Sequence, residues 1–307
     1  MARATASTRK GRRLADREGL LGPLFLLPSV VYIVLLVALP FFLALWFSVT
    51  DVTTASPPRH FVGLDNFRAA WDDPVFRQSL RNTLIMTAVT MAIVVVLAHP
   101  LSLILAANIR GKRLLRFFVL LPWTTPIALA AIAWLWLLDN LFSPIDWILR
   151  HVHLLAENGH MNWLGKPELA RASVIAVEVW RLVPLAAVIM MAGLTAIPTE
   201  INDAAEVDGA RFWRRLWEVT LPLTMPVIAV AVLFGAILVF TDMAVVYVLT
   251  PGGGTANSTQ VLTTWAFYKG INSGDLGQGA AIALFLFPLL LAAAIAILLA
   301  VRRMEVT

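Results

Sequence analysis

Hydrophobic and polar positions along the chain fall into long blocks, not a short alternation. Uncharged apolar runs occupy residues 19–50, 82–109, 117–138 and 276–301, and two further runs, 172–197 and 219–249, are broken only by Glu178 with Arg181 and by Asp242. A helix rises 1.5 Å per residue, so about 20 residues cross the roughly 30 Å of hydrocarbon in a bilayer. Each block meets that length. The pattern predicts an all-α integral membrane protein with six transmembrane helices. Polar segments separate them: a basic tail at 1–18, an external loop at 51–81 rich in Pro and Asp, a short basic loop at 110–116, external segments at 139–170 and 250–275, a tail at 302–307, and a charged stretch at 198–222 that runs into the fifth block. The first block exceeds the apolar part of a signal peptide, about 7–15 residues, and reads as a retained helix bent at Pro28 or Pro40.

Six spans put both ends of the chain on one side. Fifteen Lys and Arg residues lie in segments on that side and eight on the other, with Arg181 inside a span. By the positive-inside rule the N and C termini and the 198–222 stretch are cytoplasmic. Composition agrees with a membrane class: 59% of residues are hydrophobic and 14% charged, against about 25% charged in soluble domains. The absence of Cys excludes disulfides, thiolate metal sites and cysteine nucleophiles. No GxxxxGK[ST] phosphate-binding loop is present; the nearest stretch, Gly159 to Gly165-Lys166, has the wrong spacing and ends in Pro167. Any ATP chemistry therefore belongs to another polypeptide. His151, His153 and His160 share one external segment and are either metal ligands or ordinary loop histidines, since no HExxH helix accompanies them.

The charged stretch carries the sharpest pattern. Thr199 reads as a helix N-cap with Glu200 in the first turn. Ile201, Ala204, Ala205 and Asp208 recur at the helical period and form a face of mostly small side chains. Gly209 suits the left-handed conformation that ends a helix. A second helix from about Ala210 carries Phe212, Leu216 and Val219 on one stripe, with Arg214 and Glu218 paired at i,i+4, and Pro222 marks re-entry into the membrane. An amphipathic surface helix accounts for Trp213 and Trp217 at the headgroups. It does not account for the spacing of Asp203-Ala204-Ala205, then three residues, Gly209, nine residues, and Val219-Thr220-Leu221-Pro222.

That spacing resembles the EAA-xxx-G-x9-I-x-LP signature of permease subunits of binding-protein-dependent ABC importers, with Asp203 in place of Glu and Val219 in place of Ile. Phe61-Val-Gly-Leu-Asp-Asn-Phe67, Asp73-Pro-Val-Phe76 with Ser79-Leu-Arg-Asn-Thr83, Ala192-Gly-Leu-Thr-Ala-Ile-Pro198 and Asp208-Gly-Ala210 resemble the carbohydrate branch. The resemblance implies the type I importer permease fold in a bacterial or archaeal cell membrane. It implies a second permease subunit, two ABC ATPase subunits and an extracytoplasmic solute-binding protein as partners. ATP and Mg would be held by the ATPases, with no cofactor on this chain and no catalysis by it. Asp203, Ala204, Ala205, Asp208, Gly209, Ala210, Phe212, Leu221 and Pro222 would form the coupling region. The implied cargo is sugar-like, with polyols and glycerol-phosphate esters as alternatives.

Ionisable groups inside spans are functional candidates by default. Glu178 and Arg181 stand three apart on one helical face, and Asp242 lies in the fifth span with Thr241 and Tyr247 near it. Trp123 and Trp180 offer aromatic faces to a sugar or, equally, anchor span ends at the interface. His99-Pro100 reads as a kink with a satisfied histidine. A secondary transporter driven by an ion gradient is the rival class, expected to show repeats and paired carboxylates; Glu178 and Asp242 are not paired in sequence. A membrane-embedded enzyme would need a nucleophile or metal motif that the chain lacks.

Overall fold

A computed structural model describes residues 18–58 and 60–305. The chain begins with α1 (Glu18–Ile33), a π-helical turn at Val34–Ala38 and α2 (Leu39–Ser48) in one rod. The wide turn has a local cause. Pro40 has no N–H and its ring crowds the carbonyl four residues back, at Leu36, so the helix opens there; Pro28 sits inside α1 without such a turn. None of the most apolar part of this rod is buried against the rest of the chain. Its second half is tied down: α2 packs along the helix at Leu276–Leu284, Phe41 meets the Phe287 ring at 6.1 Å, and Asn66 Nδ2 donates to the Ser48 and Thr50 carbonyls at 3.0 and 2.9 Å.

After α3 (Asp65–Asp72) comes α4 (Pro74–Ala106), which starts eight residues before the apolar run at Asn82. Asp73 caps it by accepting the Val75 N–H, and Pro74 occupies the first helical position, where a missing N–H costs nothing. Arg77, Gln78 and Arg81 are thus helical residues, not loop. Gln78 and Asn82 use this position to hold the loop near 256–260, with Asn82 Nδ2 donating to the Asn257 and Gln260 carbonyls.

The run at 117–138 is not one straight helix. α5 (Lys112–Thr124) and α6 (Ile127–Leu137) meet at 90°. Pro126 removes a ladder hydrogen bond and forces Thr125 into an extended conformation, φ −71° and ψ 131°. Three of the four basic residues of the 110–116 loop, Lys112, Arg113 and Arg116, lie in the opening turns of α5. Then follow α7 (Pro144–His151), α8 (Pro167–Thr195), α9 (Thr199–Val207) and α10 (Phe212–Arg215), the last continuing through a π turn at Leu216–Thr220 into α11 (Leu221–Thr241). After a break come α12 (Ala244–Leu249), α13 (Leu262–Phe267), α14 (Leu276–Leu284) and α15 (Leu286–Glu305). Among the described residues five helices are long and apolar enough to cross a membrane, or six spans with the bent α5–α6 pair counted as one.

The core is where α4, α8 and α11 meet. Met91, Val94, Leu182, Met190 and Ile228 fill it, and Ala98 and Ala187 are fully buried. Without a hydrophobic drive between helices in lipid, close backbone approach supplies the packing energy, and small residues permit it. A Cβ on Gly193 of α8 would come within 2.9 Å of Val227, and one on Gly235 of α11 within 2.6 Å of Met91.

Candidate functional site

Two groups of candidate residues occupy different parts of the fold. The first is built by α9. Pro198, not Thr199, takes its N-cap position, and no side chain caps the helix. Its C-terminus closes as a Schellman motif: the Gly209 N–H donates to Glu206 O at 3.0 Å, and the Ala210 N–H to Ala205 O at 2.9 Å. Gly209 has φ +75°, and a Cβ there would touch nothing within 4 Å. The backbone conformation alone therefore calls for glycine.

The small-residue face opens as a depression of 430 Å³ between α9 and the turn after α10. Ile201, Ala204, Ala205, Asp208 and Ala210 line it together with Val219. Ala205 is its buried floor, while Asp203, Ala204, Asp208 and Gly209 are exposed. Arg214 Nε donates to Glu218 Oε2 at 2.8 Å on the rim. Pro222 does not begin a new helix: Phe212 to Thr241 runs as one continuous helix, in which Pro222 widens the preceding turn as Pro40 does. Phe212, Leu216 and Leu221 face away from the depression, into an apolar groove against α4.

The second group lies mid-bundle. Arg181 of α8 donates through one terminal nitrogen to Glu178 Oε2 at 2.7 Å, and the same nitrogen forms an ion pair with Asp242 Oδ2 at 3.1 Å. All three side chains are about nine-tenths buried. Asp242 owes its place to the break after α11: the chain turns extended there, Asp242 Oδ1 accepts the Val245 N–H at the start of α12, and its carbonyl accepts from Thr263 at 2.8 Å. Two carboxylates thus share one guanidinium, whose Nε has no partner among the described residues. Beside them is a cavity of about 20 Å³ lined by Thr83, Thr87, Thr90, Glu178 and Asp242. It has room for about one water molecule.

The other candidates do not converge on this cluster. Trp180 meets Trp134 of α6 edge-on at 5.6 Å between centroids. Tyr247 packs on Phe267 at 5.5 Å. The Thr241 hydroxyl donates back to Ile237 O, and Trp123 packs against the α4–α8–α11 core. His99 is not satisfied: both ring nitrogens are buried without a partner among the described residues. In the 139–170 segment His151 bonds to Trp147 O and lies against its ring, and His160 faces Asp146 at 3.9 Å. Sequence reasoning passed over Thr83, Thr87 and Thr90, although their spacing in an apolar run places them on one face of α4.

A family model described as the inner membrane component of binding-protein-dependent transport systems matches residues 98–306. The trehalose/maltose transport system permease protein MalF of Thermococcus litoralis is 32% identical over 279 residues, covering 91% of this chain and 92% of that protein. The sulfoquinovosyl glycerol transport system permease protein SmoG of Agrobacterium fabrum is 30% identical, covering 90% of this chain and 88% of that one. A solved bacterial ABC transporter involved in the import of the acidic polysaccharide alginate shares the fold, with a TM-score of 0.75 at 19% identity over 94% of this chain and 96% of that one. The matched stretch runs from late α4 through α15, and this chain belongs to the family of binding-protein-dependent transport system inner membrane components.

Proposed function

We propose that this chain is one of two permease subunits of an ATP-driven importer of sugar-like solutes, forming half of the translocation pathway. Its partners in this reading are a second permease, two ABC ATPases that hold ATP and Mg, and an extracytoplasmic solute-binding protein; the chain itself binds no cofactor and catalyses nothing. Both termini and α9 face the cytoplasm. The named relatives that handle trehalose, maltose and sulfoquinovosyl glycerol support the solute class.

The observation that carries the coupling role is the depression on α9, floored by Ala205 and closed by the left-handed Gly209. Small side chains leave room for a knob from a partner, and the span from Phe212 to Thr241 is a continuous rod from that depression to mid-membrane. Its far end is tied to α8 by Asp242 and Arg181. ATP-driven closure of the ATPases would push on α9, and the rod would transmit the push to the bundle, exchanging inward-facing and outward-facing states. In the conformation described, the space beside Arg181 is water-sized. The triad acts here as the tie between rod and bundle, while Trp123, Trp180, Thr241 and Tyr247 remain the candidate solute contacts.

Ala205→Asp fills and charges the depression, and Gly209→Val strains the cap. Both variants should remain in the membrane and lose the ATPase subunits on co-purification. ATPase recovered with either variant at the unaltered level would overturn the coupling assignment.

A further inference from the structure

A groove of 580 Å³ runs between the second half of α4 and the α10–α11 rod, walled by residues that include Val96, Pro100, Trp213, Trp217 and Met225. Nothing among the described residues covers it: Val96, Trp213 and Trp217 are 69%, 68% and 66% exposed. At one end a second pocket of 160 Å³ shares the Leu103, Phe212 and Leu216 walls and differs in kind. It is lined by Asn202, Arg215 and Thr220. Arg215 is half-buried, and its guanidinium makes no hydrogen bond or ion pair with the described residues; the Asn202 amide is also free. One helical turn from Leu103 along α4, the groove wall holds His99, whose ring nitrogens are buried and unpartnered.

Two unmet needs therefore stand in order along one cleft. A cation with neutral donors beside it calls for an anionic oxygen group. Beyond it a long apolar channel calls for hydrocarbon. The exposed indoles of Trp213 and Trp217 belong at the headgroup level, which sets the depth of the Arg215 pocket. An extended peptide would bring unpaired backbone groups into a groove whose walls are almost wholly apolar, whereas an acyl chain brings none.

We propose that this cleft binds one anionic glycerophospholipid. Its phosphate lies on Arg215 with Asn202 and Thr220, and an acyl chain fills the groove. The site is separate from the α9 depression, stands whatever the solute, and places a lipid at the elbow between α9 and the α10–α11 rod.

The test uses the full chain, purified in mild detergent and equilibrated with equal amounts of dioleoyl phosphatidylglycerol and dioleoyl phosphatidylcholine, with bound lipid counted by native mass spectrometry. The unaltered chain should retain one phosphatidylglycerol in preference to phosphatidylcholine by about fivefold, the worth of one basic side chain at a membrane surface. Arg215→Gln should bring the ratio near unity, and Val96→Trp should lower retention of both lipids. Equal retention by the unaltered chain, or an unchanged ratio in Arg215→Gln, overturns the proposal. A photoreactive benzoylphenylalanine at Val96, in membranes that contain the partner subunits, gives an independent reading. Crosslinks to lipid support the site, and crosslinks to a permease or an ATPase overturn it.

Discussion

Arg181 stands between two carboxylates, and the local balance of charge decides what each substitution there does. Breaking a buried ion pair leaves an uncompensated charge, at a cost of about 3–5 kcal/mol. Arg181→Gln leaves Glu178 and Asp242 facing each other without a cation, and should lower the unfolding free energy of the purified chain by an amount in that range, read as a lower thermal unfolding temperature. Glu178→Gln removes the surplus negative charge and keeps the shape, so it should be nearly neutral alone and should recover part of the loss in the double variant. A double-mutant cycle checks this, and additive effects would show that the two carboxylates do not share the arginine as the geometry indicates. Half of this cluster was legible beforehand. Glu178 and Arg181 sit i,i+3 on one helix, a spacing that periodicity reveals. Asp242 comes from a distant segment, through a break in α11, and no local pattern reports such a meeting.

At the scale of elements, apolar length was enough to place the spans, because a bilayer demands about 20 apolar residues whatever their order. Boundaries and bends were less legible, for definable reasons. α4 starts early because Asp73-Pro74 is a cap followed by a favoured first residue, and polar side chains in the opening turns do not prevent helix. The α5–α6 bend lies within an uncharged run, so hydropathy gives no sign of it, and Pro126 alone did not distinguish a mild kink from a right angle. In the 198–222 stretch the helix, its glycine stop and the Arg214–Glu218 pair were readable from spacing. The fusion of its second helix with the fifth span was not, because Pro222 is compatible with a helix start and with a π turn. The contact between α8 and α11 depends on glycine. Gly193→Ala should destabilise the chain by about 1–3 kcal/mol through overpacking against Val227, measurable as a lowered unfolding temperature. An unchanged temperature would mean that the α8–α11 approach is looser than described.

At the scale of the molecule, the chain is a membrane bundle with a protruding small-residue depression at one end and an ionic tie at its middle, joined by one rod. The first apolar rod packs on its own chain through α2, against α14 and Phe287. It leaves most of its surface to lipid or to a neighbouring subunit. In the proposed reading the energy for transport enters through contact with another protein, and no GxxxxGK[ST] loop occurs in the sequence. The most direct test of that claim is uptake of the radiolabelled sugar that its binding-protein partner retains, into proteoliposomes containing this chain with its permease, ATPase and binding-protein partners. The account predicts accumulation that requires ATP on the ATPase side and is indifferent to collapse of the proton gradient. Uptake that persists without ATP and stops when the proton gradient is collapsed would contradict it.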